Sequence, residues 1–509
     1  MLLIDSFERT ARDAPARCFV HFVGESAEGD AILSYGQADL QASRQARLLR
    51  RLGVGRGDPV AFLLPNSVDW LVGYLACQKI GAVATGLNTD LLPAELIYPV
   101  ALVEAKVILS TAALRDCAQA LRDGCPAVQH VVIDGVCGDL MADTLDEVLR
   151  RDAQLQDTDI LSIAFTSGTT GAAPKAVLQC SRNITRGIQG YMRPLNVSAE
   201  DRVMLVTPLF HGSALNWGVT MAVLGGGGIV LARKFSASRF WEQAQRAGTT
   251  VLWTMGAIIF ILLTLPVSEA ERAATRRLRI LFGAAIASRF DEVRRRWPCE
   301  VFDGFGMTET PGTLTAPDCF NLDDPYPCVG RAVEGVDLKV VGLEQGEDLP
   351  ARGVGELVVR FGQGFVGYLN NPQAMAEVVR DGWFHTGDIG YMDEAGRVFF
   401  VDRLKSIIRR GGENISSMEI ENCLIGHPDV AEAIALPARH PILGETVAAV
   451  LVPKEEGREF TLQEVQSFCD GKLTRFKWPE CVFTLRADDI PKTTTGRVRK
   501  HPLREALKL

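Results

Sequence analysis

The sequence has no Cys-x-x-Cys pair, no apolar run long enough to cross a bilayer and no excess of basic residues. Its twelve cysteines are scattered from Cys18 to Cys481, and no short His/Cys spacing offers a zinc set. Cysteines dispersed through a large chain predict buried free thiols in a reducing compartment. The longest apolar stretch, VLWTMGAIIFILLTLP at 251–266, falls short of the roughly 20 residues of a spanning helix and predicts buried core instead. A net charge of −8 argues against nucleic acid as a partner, because binding a phosphate backbone wants a basic face. The opening MLLIDSFERTARDAP meets acidic residues at once and does not read as a secretory signal. These absences together predict a soluble cytoplasmic protein. Internal repeats, low-complexity tracts and Gly/Ser linkers are missing too.

What is present is a chain of 509 residues, too long for one core and suited to two or three packed units. Short apolar runs, among them PVAFLLP, KVILST, HVVID, ILSIAFT, RVMLVT, GIVLA, TTVLWT and LRILFG, alternate with segments of helical period such as VDWLVGYLACQKIGA and ASRFWEQAQRAG. Alternating β and α predicts the α/β class, with parallel-rich sheets flanked by helices. Near residue 400 the texture changes, as GRVFFVDRLKSIIRRGGENIS runs from an apolar strand into a basic, Gly-containing segment. A boundary is expected there, giving a large unit 1–402 and a small α/β unit 403–509.

The most informative stretch is ILSIAFTSGTTGAAPKAV (160–177). An apolar strand ends in Thr166, Ser167, Gly168, Thr169, Thr170 and Gly171, and Lys175 follows. Glycines let backbone N–H groups turn inward, hydroxyls add donors and the lysine adds a mobile charge, which is how a chain cradles polyphosphate. The spacing is not that of a Walker loop. Further along stand GAAIAS (283–288), FDGFGMTET (302–310), WFHTGDIG (383–390), VDRLKS (401–406) and, near the end, PKTTTGRVRK (491–500).

In this order the motifs resemble the adenylate-forming superfamily: acyl-CoA synthetases, nonribosomal-peptide adenylation domains and luciferases, with acyl-CoA ligases nearest. The resemblance covers nearly the whole chain. It implies a ligase that joins a carboxylic acid to AMP and passes the acyl group to a thiol. Its cofactors would be ATP, Mg²⁺ and coenzyme A, with a carrier protein the less fitting acceptor. By resemblance, Thr166 and Lys175 act on the phosphates, and Glu309 holds Mg²⁺, a hard cation that wants oxygen. Gly283, Ala284, Ala285, Asp303, Gly304, Phe305 and Gly306 line the adenine side, and Thr308 touches phosphate. Asp388 accepts both ribose hydroxyls, assisted by Arg403. Lys405 matches the hinge about which a mobile C-terminal domain rotates. Gly411 and Gly412 would lie along the pantetheine tunnel, and Arg409 and Arg410 either meet CoA phosphates or form a plain basic surface loop.

The segment TPLFHGSALNWG (207–218) resembles the acid pocket, with His211 as its gate. Amino-acid-activating relatives place an Asp after the gate; here Gly212 stands there. A buried ammonium without a partner is costly, so α-amino acids are disfavoured. The other wall candidates, Trp217, Met255, Gly256, Ala257, Ala284, Ala285 and Met307, are apolar and mostly small, which suggests an apolar acid and leaves room for a bulky one. One departure stands out. The family carries a lysine in a C-terminal loop of pattern P-[KR]-T-x-[ST]-G-K, and this chain has Arg497 in that place. Three routes stay open: Arg497 does the lysine's work, Lys500 does it from a neighbouring position, or the protein does not adenylate and converts only a supplied acyl-AMP to acyl-CoA.

Overall fold

The computed structural model of the protein describes every residue except 138–139, 142–145, 167–173, 285–289, 311–314, 317–327, 362–364, 411–412 and 494–495. The uniformly apolar runs become central strands, because a parallel strand covered on both faces needs no polar side. Pro59–Leu63, Val83–Gly86, Val107–Ser110 and His130–Ile133 pair in parallel. Strand β1 (Ile160–Phe165) joins them beside Val83–Gly86, and β2 (Ala176–Cys180) folds back antiparallel on β1. The two-residue strand Gly367–Tyr368 closes that edge against β2. Helix Val68–Ile80, buried from Trp70 onward, covers one face.

A second sheet holds β3 (Arg202–Leu205), β4 (Val251–Met255), β5 (Ile280–Ala284) and β6 (Glu300–Asp303), parallel in the spatial order β6-β5-β4-β3. The apolar run 251–266 divides into β4 and the helix Gly256–Thr264. No described helix is long and apolar enough to cross a membrane. Behind the C-terminal ends of these strands, Tyr191, Trp217, Trp253 and Phe282 form an aromatic layer, with Trp217 stacked on Trp253 at 5.0 Å between ring centres.

A third sheet, antiparallel throughout, was not foreseen. It includes Val336–Val341, Gly355–Phe361, β7 (Trp383–Met392) and β8 (Arg397–Arg403). A fourth sheet of five strands uses residues from Ile408 to Thr484 alone. Its core, with Ile408, Val447 and Leu451, is covered by α1 (Ser417–Ile425) through Ile420 and Leu424. On its other face α2 (Lys500–Ala506) contributes Leu503 beside Ile434 and Val450. The chain is thus an α/β protein with a large N-terminal body of sheets and helices and a smaller C-terminal one. Among the described residues nine cysteines are free thiols, as expected, whereas Cys328 is disulfide-bonded.

Candidate active site

Ligands of open parallel sheets bind outside the carboxyl ends of the strands. Here those ends carry the motif residues. In register, Thr254 of β4 faces Gly283 of β5, Met255 faces Ala284, and Gly283 faces Asp303 of β6. Gly256 follows Met255 directly and opens the next helix. Past β6 the chain turns sharply: Gly304 N–H bonds Asp303 Oδ1 at 2.8 Å, and Tyr191 Oη bonds the Asp303 carbonyl at 3.0 Å. A Cβ on Gly304 would sit 3.0 Å from Tyr191 Oη and 3.3 Å from Trp217, so only glycine lets the chain lie against the aromatic layer. Phe305 is buried, its ring 6.0 Å from that of Phe400. Met307 and Thr310 close a short turn through Met307 N–H to Thr310 Oγ1 at 2.9 Å, which fixes Thr308 and Glu309 between them.

The loop between β1 and β2 is pinched shut at its base. Thr166 N–H bonds the Lys175 carbonyl at 3.0 Å, and Lys175 N–H returns to Thr166 Oγ1 at 3.1 Å. Ser167, Gly168, Thr169, Thr170 and Gly171 lie outside the described residues, as do Ala285, Gly411 and Gly412. Lys175 Nζ stands 4.7 Å over the Tyr368 ring, and Tyr368 Oη donates to Glu309 Oε1 at 2.8 Å. Gln179 of β2 spans the cleft floor. Its Nε2 donates to the Thr308 carbonyl at 3.3 Å, and its Oε1 accepts from Asn216 Nδ2 at 3.2 Å. Asn216 belongs to a π-helical segment, Ser213–Val219, that also carries Trp217; such segments are frequent at functional sites. His211 Nδ1 accepts from the Ser213 amide at 3.2 Å, and burial lowers its pKa, which favours the neutral imidazole. A Cβ on Gly212 would meet Asn216 Nδ2 at 3.2 Å.

Asp388 is delivered by a bulge. Register between Gly355–Phe361 and β7 slips at 356–358, and Gly387 adopts φ 69°, a left-handed conformation that favours glycine. Glu356 fixes the bulge by accepting from Gly387 N–H at 2.9 Å. Asp388 is 1% exposed, and its carboxyl pKa is raised to about 6, first by burial, against which Arg403 and Arg497 pull it down. Arg403 Nε approaches Asp388 Oδ1 at 3.1 Å, but without hydrogen-bond geometry, so Oδ1 is a buried acceptor with no hydrogen bond.

The C-terminal loop separates the two candidate cations. A tight turn, with Thr493 N–H to the Arg497 carbonyl at 2.7 Å and Gly496 at φ 78°, presents Arg497 beside Asp388 and Arg403. Its pKa falls to about 10, through burial first and then the neighbouring Arg403 charge. The residue nevertheless keeps exposed surface. Lys500 points elsewhere: its Nζ donates to Ser417 Oγ at 2.5 Å and lies 2.8 Å from Glu421 Oε1 on α1. Ser417 in turn bonds Asp402, which accepts from Ser416, Ser417 and the Met418 amide and so caps α1. Lys405 sits in the turn Leu404–Ser406 just after β8. Arg410 is engaged by Glu480 and the Phe476 carbonyl, whereas Arg409 is exposed. Sequence reasoning missed Gln179, Tyr368, Asp402 and Glu421. A GY pair before LNNP was the single local hint for Tyr368.

Residues 7–369 match the family model described as AMP-binding enzyme, and residues 419–497 match the AMP-binding enzyme C-terminal domain. The chain belongs to this family. It is an AMP-forming acid–thiol ligase of the adenylate-forming superfamily. Among its relatives is 4-coumarate–CoA ligase 4 of Arabidopsis thaliana, 30% identical over 525 residues that cover 98% of this chain and 90% of the relative. Among solved structures, ATP-bound MatB from Rhodopseudomonas palustris is similar, with a TM-score of 0.88 at 29% identity over 100% of this chain and 99% of that one. The apo form of MatB fits less well, at 0.78 and 28% identity with the same coverage. The backbone arrangement of this AMP-binding enzyme is therefore nearer the ATP-bound state of that neighbour.

Proposed function

We propose that the protein ligates an uncharged, apolar carboxylic acid to coenzyme A by way of an acyl-adenylate, with Arg497 in the role of the adenylation lysine. The observation that carries this reading is the division of labour in the C-terminal loop. Arg497 stands beside Asp388 and Arg403, while Lys500 is held on α1 by Glu421 and Ser417. Arg497 keeps its positive charge at neutral pH and can meet the carboxylate and α-phosphate oxygens as charge builds on them. Asp388 Oδ1, buried and without a hydrogen bond, fits a ribose hydroxyl donor. Thr166 and Lys175 fit the phosphates, and the carboxylate of Glu309 fits Mg²⁺, which would neutralise phosphate charge as pyrophosphate leaves.

A neutral His211, Gly212 in place of a carboxylate, and the apolar Trp217, Met255 and Met307 support an acid without a second charge. The small domain, 403–509, would turn about Lys405 for thioester formation, with Arg409 free to meet a CoA phosphate. The test is ATP–pyrophosphate exchange over a pool of apolar acids built around 4-coumarate, the acid in the relative's name. Wild type should exchange, and Arg497→Ala should lose roughly 10²–10³ in rate while still converting synthetic acyl-AMP and CoA to acyl-CoA. A wild type silent in exchange but active on acyl-AMP would support the non-adenylating alternative. Exchange unchanged in Arg497→Ala would remove Arg497 from the reaction.

A further inference from the structure

We infer that Tyr368 sets the metal preference of this site by leaving Glu309 one free carboxylate oxygen. The inference rests on the reading of Glu309 as the metal-facing carboxylate. Tyr368 Oη donates to Glu309 Oε1 at 2.8 Å, and both residues are buried, 7% and 8% exposed. Among the described residues Glu309 Oε2 has no hydrogen-bond partner.

Position makes the hydroxyl rigid. Tyr368 pairs with Val177, two residues past Lys175, and its ring is packed edge-on by Phe365 at 4.9 Å. The same ring carries Lys175 Nζ on its face. One tyrosine therefore supports both a phosphate-facing cation and the carboxylate opposite it. The consequence concerns ligand geometry. Mg²⁺ demands near-octahedral coordination, keeps several waters and takes one carboxylate oxygen readily, whereas Ca²⁺ accepts bidentate carboxylates. Bidentate binding here would need Oε1, and taking it would strand the buried Tyr368 hydroxyl without a partner. Tyr368 thus penalises the larger ion without touching it.

The experiment is calorimetric titration of the full-length protein with ATP in Mg²⁺, in Ca²⁺ and in EDTA, for wild type and Tyr368→Phe, with melting curves to show that both are folded. Phenylalanine keeps the ring under Lys175 and removes only the hydroxyl. Wild type should bind ATP more tightly with Mg²⁺ than with Ca²⁺. Tyr368→Phe should lose about 10- to 100-fold of the Mg²⁺-supported affinity and gain relative affinity with Ca²⁺, with metal-free binding unchanged. An unaltered Mg²⁺/Ca²⁺ ratio in Tyr368→Phe overturns the inference and leaves Glu309 as ligand untouched. Glu309→Gln should bind ATP alike in all three buffers. If wild type already does so, Glu309 is no metal ligand, and the inference falls together with the reading beneath it.

Discussion

Asp388 should cost the folded protein stability that its ligand recovers. Its carboxyl pKa rises from 3.8 to about 6 on folding, chiefly because burial disfavours the anion. At about 1.4 kcal/mol per unit this amounts to about 3 kcal/mol. The sign follows from linkage. A carboxyl whose folded pKa is raised stabilises the fold while protonated and loses that contribution as pH rises through the folded value. Wild type therefore forfeits stability between about pH 4 and 6 and stays at the lower level above that. Asp388→Asn keeps the shape and removes the charge, and the Arg403 it leaves is 38% exposed in its side chain and can be hydrated. Urea unfolding from pH 4.5 to 8 should show the variant only about 1 kcal/mol ahead of wild type at the acid end. It should be more stable by as much as about 3 kcal/mol at pH 8. ATP affinity should move the other way: it should fall sharply in Asp388→Asn and, in wild type, decline about tenfold per pH unit below the carboxyl pKa. A variant less stable than wild type at pH 8, or a stability difference that ignores pH, would refute the burial argument.

Three further outcomes can be stated. Lys79, fully buried, lies 2.7 Å from both Glu8 and Asp39; Lys79→Met removes the buried cation and leaves the two carboxylates only Arg150, 4.0 Å from each, so it should cost up to about 3–5 kcal/mol in urea unfolding, and a loss under about 1 kcal/mol would show that Arg150 and water already compensate the pair. Lys500→Met should lower the melting temperature by unpairing Glu421, with Lys500→Arg restoring much of it and pyrophosphate exchange falling far less than in Arg497→Ala; an equal fall would mean that Lys500 is the reacting cation. Gly304→Ala forces a Cβ against Tyr191, Phe282 and Trp217 and should cost about 1–3 kcal/mol, read as a lower melting temperature with weakened ATP binding; wild-type values for both would mean that the aromatic layer yields.

The parallel strands were legible because both faces are buried and the apolar runs are unbroken, as in Pro59–Leu63 and β3. The antiparallel third sheet was not. Val336–Val341 is half-exposed along its first four residues, and its pairing with Gly355–Phe361 depends on a partner that no local pattern names. In the candidate site, Thr166, Lys175, Glu309 and Asp388 could be picked out because each stands in a motif that resembles the family's phosphate, metal or ribose motif. Tyr368 and Gln179 act only through what the fold lays beside them, one on the sheet edge and one on the cleft floor. The choice between Arg497 and Lys500 was open in the sequence, since chain distance alone allowed either. Glu421, on a helix remote in sequence, decides where Lys500 goes.

That decision leaves a physical question about the substitution itself, and the electrostatics answer it. The Arg497 site lowers a guanidinium from 12.5 to about 10, by burial and by the charge of Arg403. The same environment acting on a lysine, which starts near 10.4, would lower it as well, from a starting value closer to neutrality. An arginine there stays charged throughout the physiological range, whereas a lysine beside Arg403 would give up its charge at a lower pH than the arginine does. Arginine's wider fork is the geometric cost of that constancy. Arg497→Lys should therefore support exchange at pH 7 but lose it toward the alkaline end of the range, where wild type stays level. The measurement is pyrophosphate exchange at saturating acid and Mg·ATP from pH 7 to 9.5, with both proteins in the same buffers. Parallel profiles would show that Arg403 and burial do not bear on this position, and the reason for an arginine would have to be sought in its shape.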